Sequence, residues 1–189
     1  MKLIVIDNYD SFTYNLVYAV KKITGLPVKV ARNDEVSLDE VSGFDKIILS
    51  PGPGLPGEAG LLKEIIRVFA PSKSILGVCL GHQAIGEVFG GRLVNLTRVF
   101  HGVATRINTT DNLSVLFKGI PEFFEAGRYH SWIVDKEKLP DCFEITSVDN
   151  EGTIMSLKHK EYNIEGVQFH PESVLTPLGE KMIENWINS

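Results

Sequence analysis

The sequence predicts an α/β protein: a doubly wound, mainly parallel central sheet with flanking helices and an additional antiparallel strand layer. Two observations carry this. In the first half, short apolar runs alternate with amphipathic stretches, the pattern of strand–helix–strand units joined by right-handed crossovers. In the second half, short β-branched or aromatic segments are separated by turns, which reads as antiparallel hairpins rather than a second domain. At 189 residues a single domain spanning 1–189 is expected, long enough to bury a core without staples.

The elements follow in order. Residues 3–6, 28–31, 47–49 and 75–78 are apolar runs suited to buried parallel strands covered on both faces. Between the first two, Phe12, Leu16, Ala19, Val20 and Ile23 recur at helical spacing. Asp10 or Ser11 is placed to cap that helix and Gly25 to end it. Leu61, Leu62, Ile65, Ile66 and Phe69 form a second stripe, and a third helix starts near Cys79. From Arg92 to about Phe169, turn signals at Asn112, Gly119-Ile120-Pro121 and Asp149-Asn150-Glu151-Gly152 divide the β segments. Thr176 and Pro177 open a last helix, whose stripe of Leu178, Met182, Ile183, Trp186 and Ile187 reads as plain core. No internal repeat, linker or low-complexity segment interrupts the chain.

Composition excludes several classes of function. With 43% hydrophobic and 23% charged residues the chain is an ordinary globular protein. A net charge of −5 argues against nucleic acid or an anionic membrane as the main partner. Two cysteines, Cys79 and Cys142, suggest neither a disulfide framework nor a cysteine-based zinc site. No histidine pair has a metal spacing, so no metal and no other cofactor is expected. Met1-Lys2-Leu3-Ile4-Val5-Ile6 reads as a first strand, too short for a signal sequence. No apolar stretch approaches the ~18 residues of a membrane span. A soluble, cytoplasmic protein is the expectation.

The chemistry concentrates at two places. Gly77-Val78-Cys79-Leu80-Gly81 is a Gly-x-nucleophile-x-Gly pattern between a strand and a helix, where small neighbours permit a sharp turn. Such a turn places the sulfur at a helix N-terminus, where free N–H groups stabilise an anion. A buried structural cysteine is the alternative, and the two flanking glycines favour the nucleophile. Downstream, His170-Pro171-Glu172 supplies a base and a group to orient it. Pro171 pushes His170 into extended geometry, where residues i and i+2 point to the same side. His170 then takes and returns the Cys79 proton while Glu172 holds the imidazole tautomer. The backbone N–H of Leu80 is one expected oxyanion donor. Ser50-Pro51-Gly52-Pro53-Gly54 follows a strand, and within its Pro-Gly-Pro-Gly core only Gly52 and Gly54 carry N–H donors. A plain surface turn is the alternative reading of that loop.

With these residues in view, the chain resembles the class I (triad-type) glutamine amidotransferases, and most of all the glutaminase subunits of anthranilate synthase and aminodeoxychorismate synthase. The segments that carry the likeness are Asp7-Asn8-Tyr9-Asp10-Ser11-Phe12-Thr13, Ser50-Pro51-Gly52-Pro53-Gly54, Gly77-Val78-Cys79-Leu80-Gly81-His82-Gln83, Arg128-Tyr129-His130-Ser131 and Gly166-Val167-Gln168-Phe169-His170-Pro171-Glu172. They run in family order along almost the whole chain. The resemblance implies a flavodoxin-like sheet and a catalytic triad of Cys79, His170 and Glu172. It implies that Cys79 attacks the side-chain amide of glutamine, releasing ammonia, and that water hydrolyses the glutamyl thioester. It also implies that Gly52, Pro53, Gly54, Gln83, Ser131 and Trp132 hold glutamine, with Gly54 and Leu80 as the oxyanion hole. The ammonia would pass to a separate chorismate-binding synthase subunit (component I) in a heteromeric complex. The product implied is anthranilate for tryptophan, with aminodeoxychorismate for folate, or both, as the alternative.

Two positions depart from the family. Trp132 stands where leucine is frequent after Tyr-His-Ser, and His101-Gly102-Val103 lacks the lysine of a frequent His-Gly-Lys segment. Two rivals remain beside the main reading: a stand-alone γ-glutamyl cysteine hydrolase, and a non-catalytic regulatory module. The intact triad opposes the second, and the Asp7-to-Thr13 signature opposes the first. Among the other histidines, His82 reads as a packing or hydrogen-bonding residue, His101 and His130 as support for the pocket or interface, and His159 as a solvated turn residue. Cys142, without flanking glycines, reads as inert.

Overall fold

The computed structural model describes residues 1–110 and 114–189, so the turn signal at Asn112 lies outside the described residues. The first half alternates strand and helix: β1 (Leu3–Asp7), α1 (Thr13–Thr24), β2 (Lys29–Arg32), α2 (Leu38–Ser42), β3 (Lys46–Leu49), α3 (Leu62–Phe69), β4 (Ser74–Val78) and α4 (Leu80–Val88). The second half supplies β5 (Leu93–Asn95), β6 (Val103–Thr109), β7 (Phe123–Arg128), β8 (Trp132–Val134), β9 (Phe143–Asp149), β10 (Ile154–His159), β11 (Ile164–Val167) and α5 (Gly179–Ile187).

Nine strands form one sheet in the order β2-β1-β3-β4-β11-β10-β9-β6-β7. From β2 to β11 every pairing is parallel, and from β11 to β7 every pairing is antiparallel. The expected class is therefore the one adopted. Most of the hairpin strands extend the parallel sheet itself, and the separate antiparallel layer is the small β5–β8 ribbon.

The apolar runs are continuous because both faces are covered. Leu3 and Val5 of β1 face a core shared with Leu16 and Val20 of α1 and with Met182, Ile183 and Trp186 of α5. Ile4 and Ile6 face the opposite core, with Ile65 and Ile66 of α3 and Ala84 and Ile85 of α4. The stripe of α5 is core, as its spacing predicts, with Leu178 only partly buried against it.

Three local readings are corrected. The strand expected at 28–31 is shifted by one residue and is not buried. It is the sheet edge with β1 as its single neighbour, so its residues stay exposed or half-buried. Neither Asp10 nor Ser11 occupies the cap of α1; Phe12 does, while Asp10 Oδ1 accepts the Phe12 N–H at 2.7 Å one step earlier. Gly25 does end that helix, at φ +66. Finally, α5 starts at Gly179, two residues beyond Pro177. The Thr176 hydroxyl is committed elsewhere, donating to the His170 carbonyl at 2.6 Å.

One pairing positions the chemistry. β11 lies beside β4 in parallel register, with Val167 opposite Val78. The residue after Val78 is Cys79, and residues 168–172 follow Val167. Segments about ninety positions apart thus leave the same end of the sheet side by side, where open α/β sheets place their ligand crevice.

Candidate active site

Cys79 caps α4 at φ +51, one of two non-glycine residues with positive φ among those described. Such a conformation costs roughly 1–3 kcal/mol and persists where its surroundings impose it. Here glycines impose it. A Cβ on Gly77 would lie 2.6 Å from the Gly81 carbonyl, and one on Gly81 would lie 2.5 Å from the Leu49 carbonyl oxygen. Strand and helix are in backbone contact, so the chain must turn within two residues. The Cys79 N–H donates to Val167 O at 2.8 Å, and its carbonyl accepts the Gln83 N–H at 3.0 Å. The sulfur therefore sits where the first N–H groups of α4 have no acceptor within the helix.

His170 arrives from the neighbouring strand. Its N–H donates to Gly127 O at 2.9 Å, and its ring is 2% exposed. Nδ1 lies 2.6 Å from Oε1 of Glu172, which is wholly buried. The pair forms in a different way from the extended alternation expected of His-Pro-Glu. Ser173 N–H donates back to His170 O at 3.2 Å, closing a turn through Pro171 that folds Glu172 against the imidazole. Because Glu172 can only accept, Nδ1 carries the proton and Nε2 is the nitrogen left for Cys79. Burial alone would depress the imidazole; interaction with Cys79 and then with Glu172 outweighs it and pushes the pKa up to about 10. Nε2 itself has no partner within hydrogen-bond geometry, as is common for catalytic pairs before the transition state. Rings of Tyr129 and Phe12 flank the imidazole at 4.7 and 5.4 Å.

A cleft of about 270 Å³ opens over the sulfur, lined by Gly52, Pro53, Gly54, Cys79, Gln83, Tyr129, His130, Ser131 and Trp132. Seven of these are candidate site residues in the sequence, His130 is read there as support for the pocket or interface, and Tyr129 stands there only within a family segment. His170, Glu172 and Leu80 are buried beside the cleft rather than lining it. Gly52 is required because a Cβ would lie 2.6 Å from both Asn8 Cβ and Leu80 Cδ2. Gly54 sits at φ +71. Asn8 staples the loop: its N–H donates to Ser50 Oγ at 2.9 Å and its Nδ2 to Ser50 O at 2.7 Å. Asn8 stands in the sequence only within the Asp7-to-Thr13 segment, and Phe12, read there as the first residue of the α1 stripe, packs against the rings of Tyr129 and His170. A larger, mostly apolar cavity of about 440 Å³ lies around Leu3, Leu26 and Phe44 and is lined by neither a cysteine nor a histidine, so the smaller cleft is the candidate site.

The remaining histidines divide by burial. His82 is wholly buried, with its ring against Gly166, and burial pushes its pKa down to about 4. Burial, then Arg128, pushes His130 down to about 3. His101 is exposed. His159 is not a solvated turn residue: it is 4% exposed, stacks on Tyr162 at 4.6 Å, and its Nδ1 accepts the N–H groups of Glu161 and Tyr162. Turning residues 160–162 back over a strand end needs an acceptor there, and the imidazole provides it. Cys142 is half-buried, and burial pushes its thiol pKa up.

His82 makes acid costly. An unfolded histidine takes a proton near 6.5, whereas the folded one stays neutral to about 4. The unfolded chain then binds more protons across that window, so stability falls as pH drops from about 6.5 towards 4. His82→Asn should remove about 3 kcal/mol of this pH dependence. Urea unfolding of both proteins at pH 7 and pH 4.5 measures it, and parallel losses in the two would sink the assignment.

Chemically, the site pairs a thiol at a helix N-terminus with an imidazole held by a carboxylate, beside a cleft the size of a small molecule. It suits acyl transfer through a thioester. Among the described residues, no group of three or more His, Cys, Asp or Glu is placed to hold a metal ion. Nor is any helix long and apolar enough to cross a membrane.

Comparison with known proteins points the same way. The model of the family described as glutamine amidotransferase class-I matches residues 4–189. The aminodeoxychorismate/anthranilate synthase component 2 of Bacillus subtilis is 45% identical over 189 residues, covering 99% of this chain and 96% of that protein. The bifunctional protein TrpGD of Thermotoga maritima is 45% identical over 190 residues, which are 99% of this chain but 32% of that one. A crystal structure from Thermoplasma acidophilum, described as that of a candidate GMP synthase component, superposes with a TM-score of 0.88 at 26% identity, covering 100% of this chain and 92% of that one.

Proposed function

The chain belongs to the class-I glutamine amidotransferase family, and from that premise we propose that it hydrolyses glutamine and supplies ammonia to a chorismate-binding synthase subunit. The observation that carries the proposal is the meeting of Cys79, His170 and Glu172 at the ends of two adjacent parallel strands, beside the cleft.

In this reading Cys79 Sγ attacks the side-chain amide carbon of glutamine. The N–H groups of Leu80 and Gly54 receive the oxyanion. His170 Nε2–H protonates the leaving nitrogen, ammonia departs, and the same nitrogen then takes a proton from the water that hydrolyses the thioester. Glu172 holds Nδ1 throughout. Gly52, Pro53, Gly54, Gln83, Ser131 and Trp132 hold the substrate. Gln83 Nε2 is already committed to the Trp132 carbonyl at 2.8 Å, so its Oε1 is the end available to a substrate donor. That carbonyl also explains why a tryptophan is tolerated at 132: the backbone, not the side chain, makes the contact. No cofactor or metal enters these steps.

The heteromeric partner follows from relatives named as component 2 of synthases. The product proposed is anthranilate for tryptophan biosynthesis in the cytoplasm. Aminodeoxychorismate, or dual use, is the second reading, favoured by the double name of the Bacillus relative. Glutamate release should be slow for the chain alone and rise with chorismate plus its synthase partner, and the aromatic product then identifies the pathway. Partner-independent fast turnover, or none in either condition from folded protein, would count against the proposal.

A further inference from the structure

Gln168 follows β11 and is wholly buried between Gln83 and Cys79. Gln83 Nε2 donates to its Oε1 at 3.2 Å, and its own Nε2 lies 3.6 Å from Cys79 Sγ. Which end of each amide faces which neighbour follows from groups that have no choice. The Trp132 carbonyl can only accept, so Gln83 turns its NH2 towards it. That NH2 also reaches Gln168, which must answer with its oxygen, leaving its own NH2 for the sulfur.

The other branch from the Trp132 carbonyl gives the same direction. Arg128 can only donate, so its Nε–H makes His130 Nε2 the acceptor, at 3.1 Å. His130 Nδ1 then carries the proton and donates to the Trp132 carbonyl at 3.1 Å. Asp149 fixes Arg128 through an ion pair at 2.8 Å. Asp149, Arg128, His130, Gln83 and Gln168 are all less than a tenth exposed. Flipping either glutamine would set NH2 against NH2, or oxygen against oxygen, in a buried place without relief.

We propose that Gln168 is a further catalytic residue, whose NH2 donates to the Cys79 sulfur, orients it towards the acyl carbon and stabilises its anion. The chain from Asp149 through Arg128, His130, the Trp132 carbonyl and Gln83 holds that NH2 in place. The role rests on Cys79 being the nucleophile of the function proposed above. An N–H bond to a thiolate is stronger than one to a thiol or thioester sulfur. The donor therefore assists twice, in forming the attacking anion and in letting it leave when water cleaves the thioester.

The test uses the full chain in a Cys142→Ser background, so that Cys79 is the one thiol, with iodoacetamide as the probe at pH 7. Gln168→Met should slow alkylation of Cys79 about tenfold, and Gln168→Glu, which turns an acceptor towards the sulfur, should slow it further. Melting curves report folding, and the isosteric glutamate variant carries the test alone if the methionine variant fails to fold. In the glutaminase assay, kcat should fall while KM for glutamine changes little. Wild-type alkylation rates in folded variants, or a glutamate variant no slower than the methionine one, would overturn the role. Slowed alkylation in variants of a chain that releases no glutamate would support the role at the sulfur while defeating the glutaminase reading.

Discussion

Cys79→Ala should lower glutamate release by about 10⁴- to 10⁶-fold, with or without the synthase partner, while leaving the fold and glutamine binding in place. The fold survives because the turn at Cys79 is imposed by Gly77 and Gly81, whose backbones touch α4 and Leu49. Alanine adopts the same positive φ with no more strain than cysteine. Binding survives because Gly52, Gln83, Ser131 and Trp132 line the cleft independently of the sulfur. What is lost is the covalent step itself, because the other residues that line the cleft carry no thiol. His130 is held neutral with both ring nitrogens committed, and Cys142 lies outside the cleft-lining set. Single-turnover assays with mass detection of the glutamyl thioester, together with glutamine titration by calorimetry, separate chemistry from binding. Residual activity within a hundredfold of wild type would mean that Cys79 is not the nucleophile.

Much of this site was legible because its signals are local. The glycines of Gly77-Val78-Cys79-Leu80-Gly81 report a backbone constraint that acts within five residues, so spacing alone points to the turn. The parallel strands were equally open to reading, since burial on both faces leaves a run such as Ile47-Ile48-Leu49 without polar interruption. Pairing was not legible. Nothing in residues 164–167 states that they lie beside 75–78, because that register is a tertiary choice made by the whole sheet. His159 misled for the same reason: its lysine neighbours along the chain suggest solvent, while Phe89, Phe143 and Tyr162 surround it in space. The His170–Glu172 contact is legible in the sequence, but by the wrong geometry, since the turn that forms it is fixed by Thr176 just downstream and by Gly127 from a distant strand. The amide chain from Trp132 to the sulfur joins three distant segments and leaves no periodicity to find.

Gly179→Ala should cost roughly 3 kcal/mol of stability or more, although the residue is far from the cleft in function. An alanine Cβ there would overlap the Pro171 carbonyl oxygen and lie 2.6 Å from its carbon and 2.8 Å from its Cα. These are backbone atoms of the turn between His170 and Glu172, so no side-chain rotation relieves the clash. Nor can α5 slide away freely, because Met182, Ile183, Trp186 and Ile187 anchor it in the core. The strain must be shared between helix and turn, and the turn is what brings Glu172 within 2.6 Å of the imidazole. Activity should therefore fall together with stability, chiefly through kcat, since the cleft residues are untouched. Gly57→Ala is the control: its Cβ would meet nothing within 4 Å and its φ is not positive, so it should be neutral or slightly stabilising. Urea unfolding and glutaminase assays on both variants decide the matter, and a Gly179→Ala protein as stable and active as the Gly57 variant would refute the argument. A drop in kcat at unchanged KM, measured where the Gly179→Ala protein is still folded, would instead support the view that α5, which lends no side chain to the cleft, helps set the distance between His170 and Glu172 through one backbone contact.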